Sequence, residues 1–513
     1  MKEFNTTGLC NPQKHYMVDI SKNLEYIKAL IEKEKYFIIN KPRQYGKTTT
    51  LASIRRELSK KYLVISISFE GIDEESFENA RKFSKVFIGL ISENLEYIDE
   101  ELNEKLLDLS KDIDSLSMLS RVLSNFIKAS KKEVILMIDE VDKSSNNQLF
   151  LNFLGMLRNK YLQREEGYSV TFKSVILAGV YDIKNLKLKL RPDEERKYNS
   201  PWNIAVPFNV DMSLSEKGIE GMLEEYKNDK NLVFDTSKAA KFIYFYTNGY
   251  PFLVSRICQI MDENLGASWD EENMIKAVKF LLNEKNTLFD DLIKNIENNN
   301  GLKEYILELI MNGAGNTFNI FNPIINLGVM FGYFKNENNT VVISNKIFSQ
   351  VLYNYFSSLL ENNYTMKKYN FKSDFIEGDG LNIEKILIRF QQFMKEEYSS
   401  KDKSFLETHG RLLFLSFITP IINGVGFAFK EVQISEEKRL DIVITYNNHK
   451  YIIELKIWHG EKYHERGIKQ LKDYLDINKQ NKGYLLVFNF NKDKEYKKEL
   501  INIERKEIIT VFV

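Results

Sequence analysis

Cysteine is nearly absent from this sequence: its 513 residues carry only Cys10 and Cys258. Two thiols so far apart argue against a disulfide framework or a cysteine-based zinc site, and they fit a reducing cytosol. A charge bias is missing as well. Lysine plus arginine equals aspartate plus glutamate at 72 each, so no global field draws the chain to nucleic acid, and any basic footprint must be local. No apolar run approaches the roughly 18–20 residues of a membrane span. The longest, Leu412 to Ile422, is broken by Ser416, Thr419 and Pro420. Met1 to Thr7 lacks the apolar core of a signal peptide, so a soluble, cytoplasmic protein without a membrane partner is expected. No Gly-x-Ser-x-Gly elbow occurs, which removes the main support for an ester hydrolase. Long internal repeats are absent too.

The length implies about three domains, and 43% apolar with 13% aromatic residues lets each bury a core. Lys35 to Asn40 reads as a buried strand. Lys41-Pro-Arg-Gln-Tyr-Gly46-Lys47-Thr48 follows, and then a helical stretch to about Leu58. Strand, tight turn and helix N-terminus make an anion site, because free N–H groups and the helix dipole face the phosphates. Lys47 would reach the β- and γ-phosphates and Thr48 would ligate Mg²⁺. The usual first glycine of such a loop is here Lys41, followed by Pro42. Downstream, the apolar run Glu133 to Ile138 ends in Asp139-Glu140-Val-Asp142. Asp139 would orient the metal through water and Glu140 would polarise the attacking water. Tyr62–Phe69, Phe172–Gly179 and Asn203–Phe208 read as further strands, with helical periodicity over 76–94, 115–129 and 148–162. Alternating strand and helix predicts a parallel sheet with right-handed crossovers.

The C-terminal region holds a second cluster. Asp441 opens one apolar run, and Glu454 and Lys456 interrupt another, Tyr451 to Ile457. Residues at i and i+2 of a strand share a face, and a turn at Asn447-Asn448 folds Asp441 back beside them. Two carboxylates and an ammonium at one sheet end can hold a divalent metal and an activated water. The bland reading is a surface hairpin with a cross-strand ion pair. The following helix carries Gln470 and Tyr474, with Lys462, Arg466, Lys469 and Lys472 balanced by Glu461, Glu465 and Asp473.

His15-Tyr-Met-Val-Asp-Ile-Ser, Tyr36-Phe-Ile-Ile-Asn and Arg43-Gln-Tyr-Gly-Lys-Thr-Thr-Thr resemble the AAA-like ATPases of bacteria and mobile elements, where the loop often lacks its first glycine. The resemblance implies ATP and Mg²⁺ as cofactors, with Arg43, Gln44, Tyr45, Gly46, Lys47, Thr48, Thr49 and Asp139 about the nucleotide. Thr247-Asn-Gly249-Tyr-Pro251-Phe-Leu-Val-Ser-Arg256 resembles the lid of STAND and origin ATPases. Arg256 would then face the nucleotide, the alternative being a solvated arginine on a capped helix. Arg158, Arg164 and Arg191 stand as arginine-finger candidates. Asp441, Glu454, Lys456, Gln470 and Tyr474 resemble the PD-(D/E)xK nuclease superfamily, RecB-type branch. That resemblance implies Mg²⁺ or Mn²⁺ on Asp441, Glu454 and the carbonyl of Leu455, with Lys456 supporting the nucleophile. Glu407 is the candidate for the helix glutamate of that family, and Glu431 is its rival.

The expected architecture is therefore α/β and multidomain. A P-loop parallel-sheet ATPase core (1–210) leads to a helical lid (211–290) and a winged-helix-like domain (300–360), whose hairpin turns at Asn338-Asn339. A linker (361–380) and an α/β restriction-endonuclease-like domain (381–513) follow. The function expected is ATP hydrolysis coupled to metal-dependent phosphodiester cleavage, with DNA the favoured nucleic acid and a homo-oligomer compatible. Genome defence and mobile-element processing both fit the resemblance. The alternative is a nucleotide-switched regulator whose nuclease-like domain only binds.

Overall fold

The computed structural model describes residues 2–141, 148–180, 202, 204–206, 208, 210–312, 316–361, 372–398, 403–422, 426–431, 441–447, 449–491 and 494–513. The side chains of 311–312, 357, 360–361, 372, 397, 403–409, 411–412, 426–431 and 441 lie outside that description. Asp142, Arg191 and Asn448, named above, are likewise outside it. Two compact units result: Met1–Glu284 with Val329–Gly332, and Lys285–Gly328 with Tyr333–Val513.

The first unit is built on four parallel strands, β1 (Phe37–Asn40), β2 (Leu63–Ser68), β3 (Val134–Asp139) and β4 (Ser174–Gly179), in the order β1-β4-β3-β2. The fifth strand expected over 203–208 appears among the described residues as a single parallel bridge from Val206 to Phe37, which puts that segment beside β1. Strict alternation explains why the sheet is covered twice. Ile135, Met137, Ile176 and Phe37 face α1 (Ser21–Glu32) and α2 (Lys47–Leu58). Leu136, Ile138, Leu177 and Ile38 face the other way. There they pack with α3 (Ala80–Leu95), α4 (Glu100–Leu109), α5 (Leu116–Ala129) and α6 (Gln148–Glu165). Helix α4 lies outside the stretches of helical periodicity named above; Asp99 caps it by accepting from the Leu102 N–H at 3.1 Å, and Leu102 and Leu106 anchor it. No described helix is long and apolar enough to cross a membrane.

Four further helices of this unit are seen among the described residues, Glu216–Lys230, Thr236–Thr247, Pro251–Asn264 and Glu271–Leu282. Pro251 occupies the first turn of its helix, where its missing N–H costs nothing. Gly249, two residues earlier, has φ of 71° and no room for a side chain: a Cβ there would lie 2.1 Å from the Leu214 carbonyl oxygen.

In the second unit, helices Thr287–Glu297, Asn300–Asn312, Pro323–Met330 and Lys346–Glu361 accompany a hairpin of β5 (Phe334–Glu337) and β6 (Thr340–Ile343). Asn338 and Asn339 turn it with φ of 49° and 62°, the left-handed pair that a two-residue hairpin needs. Within 361–380, the described part carries a small hairpin, β7 (Ile376–Glu377) with β8 (Gly380–Leu381). It is fastened by the Leu381 N–H donating to the Tyr451 hydroxyl at 2.7 Å.

The main sheet joins β9 (Gly426–Glu431), β10 (Asp441–Tyr446), β11 (His449–Ile457), β12 (Lys482–Phe488), β13 (Lys498–Ile503) and β14 (Lys506–Phe512). Their order is β13-β14-β12-β11-β10-β9. β9, β10 and β11 are antiparallel neighbours, whereas β11, β12 and β14 run parallel. One face, with Val443, Ile452, Leu485 and Val487, is covered by Ile468, Leu471, Tyr474 and Leu475 of helix Glu461–Ile477. Phe488 points to the opposite face. There Gly410 of helix Lys403–Ile422 approaches so closely that a Cβ would meet the ring at 2.8 Å. Phe390 of helix Ile383–Glu397 completes that layer, 5.1 Å from the Phe414 ring.

Gly249→Ala is expected to destabilise the first unit by about 2–4 kcal/mol, because left-handed backbone and a backbone collision add. Urea denaturation with a probe in residues 2–284 checks this; a change under about 0.5 kcal/mol would contradict the geometry.

Candidate nucleotide and metal sites

Parallel strands bring their C-terminal ends to one edge, where the loops that follow can converge. β1 and β3 are separated there by β4, roughly 10 Å apart at ordinary strand spacing. The loop after β1 reaches across. Gln44 (φ 54°) and Gly46 (φ 79°) turn the chain, and Gly46 becomes the N-cap of α2 with no side-chain cap, which leaves the helix N–H groups for an anion. Lys47 is buried and donates to the carbonyls of Lys41 and Pro42 at 3.0 and 2.9 Å. The Thr48 hydroxyl donates to Asp139 Oδ2 at 2.8 Å, and Asp139 Oδ1 accepts from the Glu140 N–H at 2.9 Å. Glu140 itself takes φ of 55°, a costly conformation for a side-chain-bearing residue. A hydroxyl in the first turn of α2 and a carboxylate at the end of β3, beside a buried ammonium and a helix N-terminus, suit a Mg²⁺–nucleotide.

Around this loop, the Thr49 hydroxyl accepts from the Cys10 N–H at 3.3 Å. Burial pushes the Lys41 amine below the usual lysine range, with Asp211 pulling the other way. Burial also pushes the Tyr45 hydroxyl up, helped by Asp211 and Tyr244, so it stays protonated. Arg256 pairs with Glu284 (Nε to Oε2, 2.9 Å) and donates to Gln259 Oε1 at 2.8 Å. Arg164 donates to the carbonyls of Phe172 and Glu34, which precede β4 and β1, so it sits at the strands' opposite end from the loop.

The second cluster is set by register. Asp441 is the Cα partner of Glu454 on one side and of Glu431 on the other, so three acidic positions form one row on one face. The side chains of Asp441, Glu431 and Glu407 lie outside the described residues. Glu407 is on helix Lys403–Ile422, three residues before Gly410. Glu454 is 1% exposed and Lys456 7%, with Nζ 3.1 Å from Glu454 Oε1. Lys456 also donates to Gln470 Oε1 at 3.2 Å. Leu455 is buried on the reverse face. Tyr474 is buried in the adjoining core, and its hydroxyl has no partner among the described residues. Among the described residues no three His, Cys, Asp or Glu side chains group as a metal site. The buried Glu454 carboxylate, level with two further acids, is nonetheless the donor chemistry a hard divalent cation takes.

Three residues here carry no strong sequence signal. Tyr250 donates its hydroxyl to the Arg43 carbonyl and sets its ring against Tyr45 at 4.9 Å, tying helix Pro251–Asn264 to the phosphate loop. The Gly-x-Pro spacing marks the helix start, not this contact. Tyr463 lies under the Lys456 ammonium, which is 5.6 Å from its ring centroid. His464 is held below the usual histidine range by burial, although Glu499, 3.8 Å away, pulls upward.

Residues 13–358 match the family described as AAA-like domain, and residues 423–499 match the PD-(D/E)XK nuclease superfamily. Among solved structures, a Walker-type ATPase of Pyrococcus abyssi aligns at 14% identity and TM-score 0.49, covering 68% of this chain and 99% of its own. The Aeropyrum pernix ORC2 protein aligns at 12% identity and TM-score 0.40, covering 66% and 94%. The RuvB Holliday junction branch migration motor of Thermotoga maritima gives 12% and 0.33, covering 64% and 92%. No curated protein matches the chain.

Glu454→Ala strands the buried Lys456 and is expected to cost about 3–5 kcal/mol of second-unit stability. Tyr474→Phe removes a buried hydroxyl with no partner, so its stability should change by less than about 1 kcal/mol. Denaturant melts of the two variants check both, and a large loss in Tyr474→Phe would show that the hydroxyl is bonded.

Proposed function

Because this chain belongs to the family of AAA-like domains, we propose that it binds and hydrolyses ATP in residues 1–290 and thereby controls phosphodiester cleavage, of DNA foremost, by residues 381–513. One observation carries the reading: a single chain holds buried charged groups with fixed partners at two separate sheets, Asp139 with the Thr48 hydroxyl and Glu454 with Lys456. Asp139 closes β3, and Lys456 is the residue before the last of β11.

In the first site Lys47 would leave its loop carbonyls for the β- and γ-phosphates, while Arg43, Gln44, Tyr45, Gly46 and Thr49 line the loop. Thr48 and Asp139 would hold Mg²⁺, and Glu140 would orient and polarise the attacking water. Arg256 could join from its helix on exchanging Glu284 for phosphate. In the second site Asp441, Glu454 and the Leu455 carbonyl would hold Mg²⁺ or Mn²⁺, with Glu407 or the register-matched Glu431 completing the set. A bound divalent ion supplies an activated water and offsets phosphate charge. Lys456, oriented by Gln470, stabilises the negative charge that develops on the phosphate in the transition state. Tyr474 supports the helix that carries Gln470. The proposed order along the chain is core (1–210), lid (211–290), winged-helix-like segment (300–360), linker (361–380) and nuclease-like domain (381–513).

Purified full-length protein is incubated with plasmid, Mg²⁺ or Mn²⁺, and ATP. Cleavage is expected and should fall at least about a hundredfold in Lys456→Ala; cleavage that persists unchanged in that variant sinks the nuclease reading. Glu140→Gln should retain ATP binding and lose about 10²–10⁴-fold in hydrolysis, measured by phosphate release. Lys47→Ala should lose the binding itself. Nucleotide-dependent nucleic-acid binding without any cleavage would favour a regulator in place of a nuclease.

A further inference from the structure

Helix Glu461–Ile477 carries two sets of side chains that the catalytic reading leaves unused, one at the outer end of its inner stripe and one on a separate face. Its inner stripe, with Gly467, Gln470 and Tyr474, faces the sheet that carries Lys456. Tyr463 continues this stripe one turn past the core edge and is 39% exposed. His459, also exposed, meets it edge to face, with ring centroids 5.2 Å apart at 87°. The two rings therefore offer aromatic surface to solvent within one nucleotide's reach of Lys456.

The second face is charged. Lys462, Arg466 and Lys469 recur at spacings of four and three, which sets them in one row about 10 Å long. The row is turned about 100° from the stripe holding Tyr463 and Gln470. Among the described residues these three side chains have no ion pair or hydrogen bond, whereas Lys472 is paired with Glu504 at 2.9 Å. Glu461 and Glu465 fall on the far flank of the row, and Asp473 lies beyond its Lys469 end.

We propose that this corner binds an unpaired stretch of single-stranded nucleic acid: Tyr463 and His459 stack a base, and Lys462, Arg466 and Lys469 hold the adjoining phosphates. The inference rests on the nuclease reading of the Glu454–Lys456 site and adds the substrate class. A duplex keeps its base faces stacked inside and presents only groove edges and phosphates. Exposed ring surface is useful to a base that has left the stack, and stacking of that kind tolerates any sequence.

The test uses the full chain, fluorescence anisotropy, and one oligonucleotide sequence presented as single strand or blunt duplex, with Ca²⁺ in place of Mg²⁺. The single strand should bind at least tenfold tighter. Tyr463→Leu, which keeps an apolar cover over Lys456, and His459→Ala should each lose about tenfold on the single strand and under twofold on the duplex. The triple change Lys462→Ala, Arg466→Ala and Lys469→Ala should lower the slope of log affinity against log salt by about 2. Equal affinity for both forms, or single-strand binding unchanged in both ring variants, overturns the proposal. If plasmid is cleaved with Lys456 dependence while the ring variants bind normally, the strand subsite fails and the nuclease reading stands. If neither plasmid nor the single-stranded oligonucleotide is cleaved in Mg²⁺ or Mn²⁺ with ATP but the ring-dependent preference holds, the subsite stands and the cleavage reading fails.

Discussion

Charge taken out of water within packed strands and helices is the constraint on which both sites depend. An unpaired ammonium or carboxylate in such a place costs several kcal/mol, so each must be held by a partner of fixed geometry. Lys47 is held by two carbonyls of its own loop, and Asp139 by a hydroxyl and an N–H. Glu454 and Lys456 hold each other, with Gln470 as the third member. In each case the partner set also fixes where the charged atom points. A reactive group is thereby pre-oriented by the same contacts that make its burial tolerable.

The two units reach this arrangement by different sheet geometry. In the first, all four strands are parallel, so every C-terminal end comes to one edge, where the loop after β1 reaches Asp139 at the end of β3. The Lys41 N–H even donates to the Gly179 carbonyl, joining the phosphate loop to the end of β4. In the second, antiparallel pairing places Asp441 opposite Glu454, so a row across strands does what converging loops do in the first. Helix Glu461–Ile477 then closes over that row from one side.

Much of this was legible because burial leaves a period in the sequence. The apolar runs of β1 to β4, the Gly46-Lys47-Thr48 turn, the Asn338-Asn339 hairpin and the i, i+2 pair Glu454–Lys456 all follow from local rules. What stayed hidden involves partners distant in sequence. Nothing near Tyr250 says that its hydroxyl will meet Arg43, about two hundred residues away. Arg164 sits at a plausible sequence distance from Glu140, yet its guanidinium serves the starts of β1 and β4. The polar stretch around Gly378 and Gly380 resembled a tether because its hairpin is only two residues per strand and is fastened by Tyr451, far downstream. For the fifth strand, the alternating signal over 203–208 corresponds to one bridge at Val206 among the described residues. Of the candidate sites, the residue types were readable and their register was a consequence of the turn; the orientation of Lys456 toward Gln470 needed the packed helix.

The pairing of Asp441 with Glu454 also limits how this domain can change length over evolutionary time. Side chains alternate across a sheet with a period of two, so one residue gained between these positions would carry Asp441 to the reverse face. A gain of two would restore the face but displace it along the strand by about 6–7 Å. Substitutions within the hairpin can therefore accumulate while its length stays frozen, and insertions should collect where no acidic pair spans the turn, as at the tip between β5 and β6.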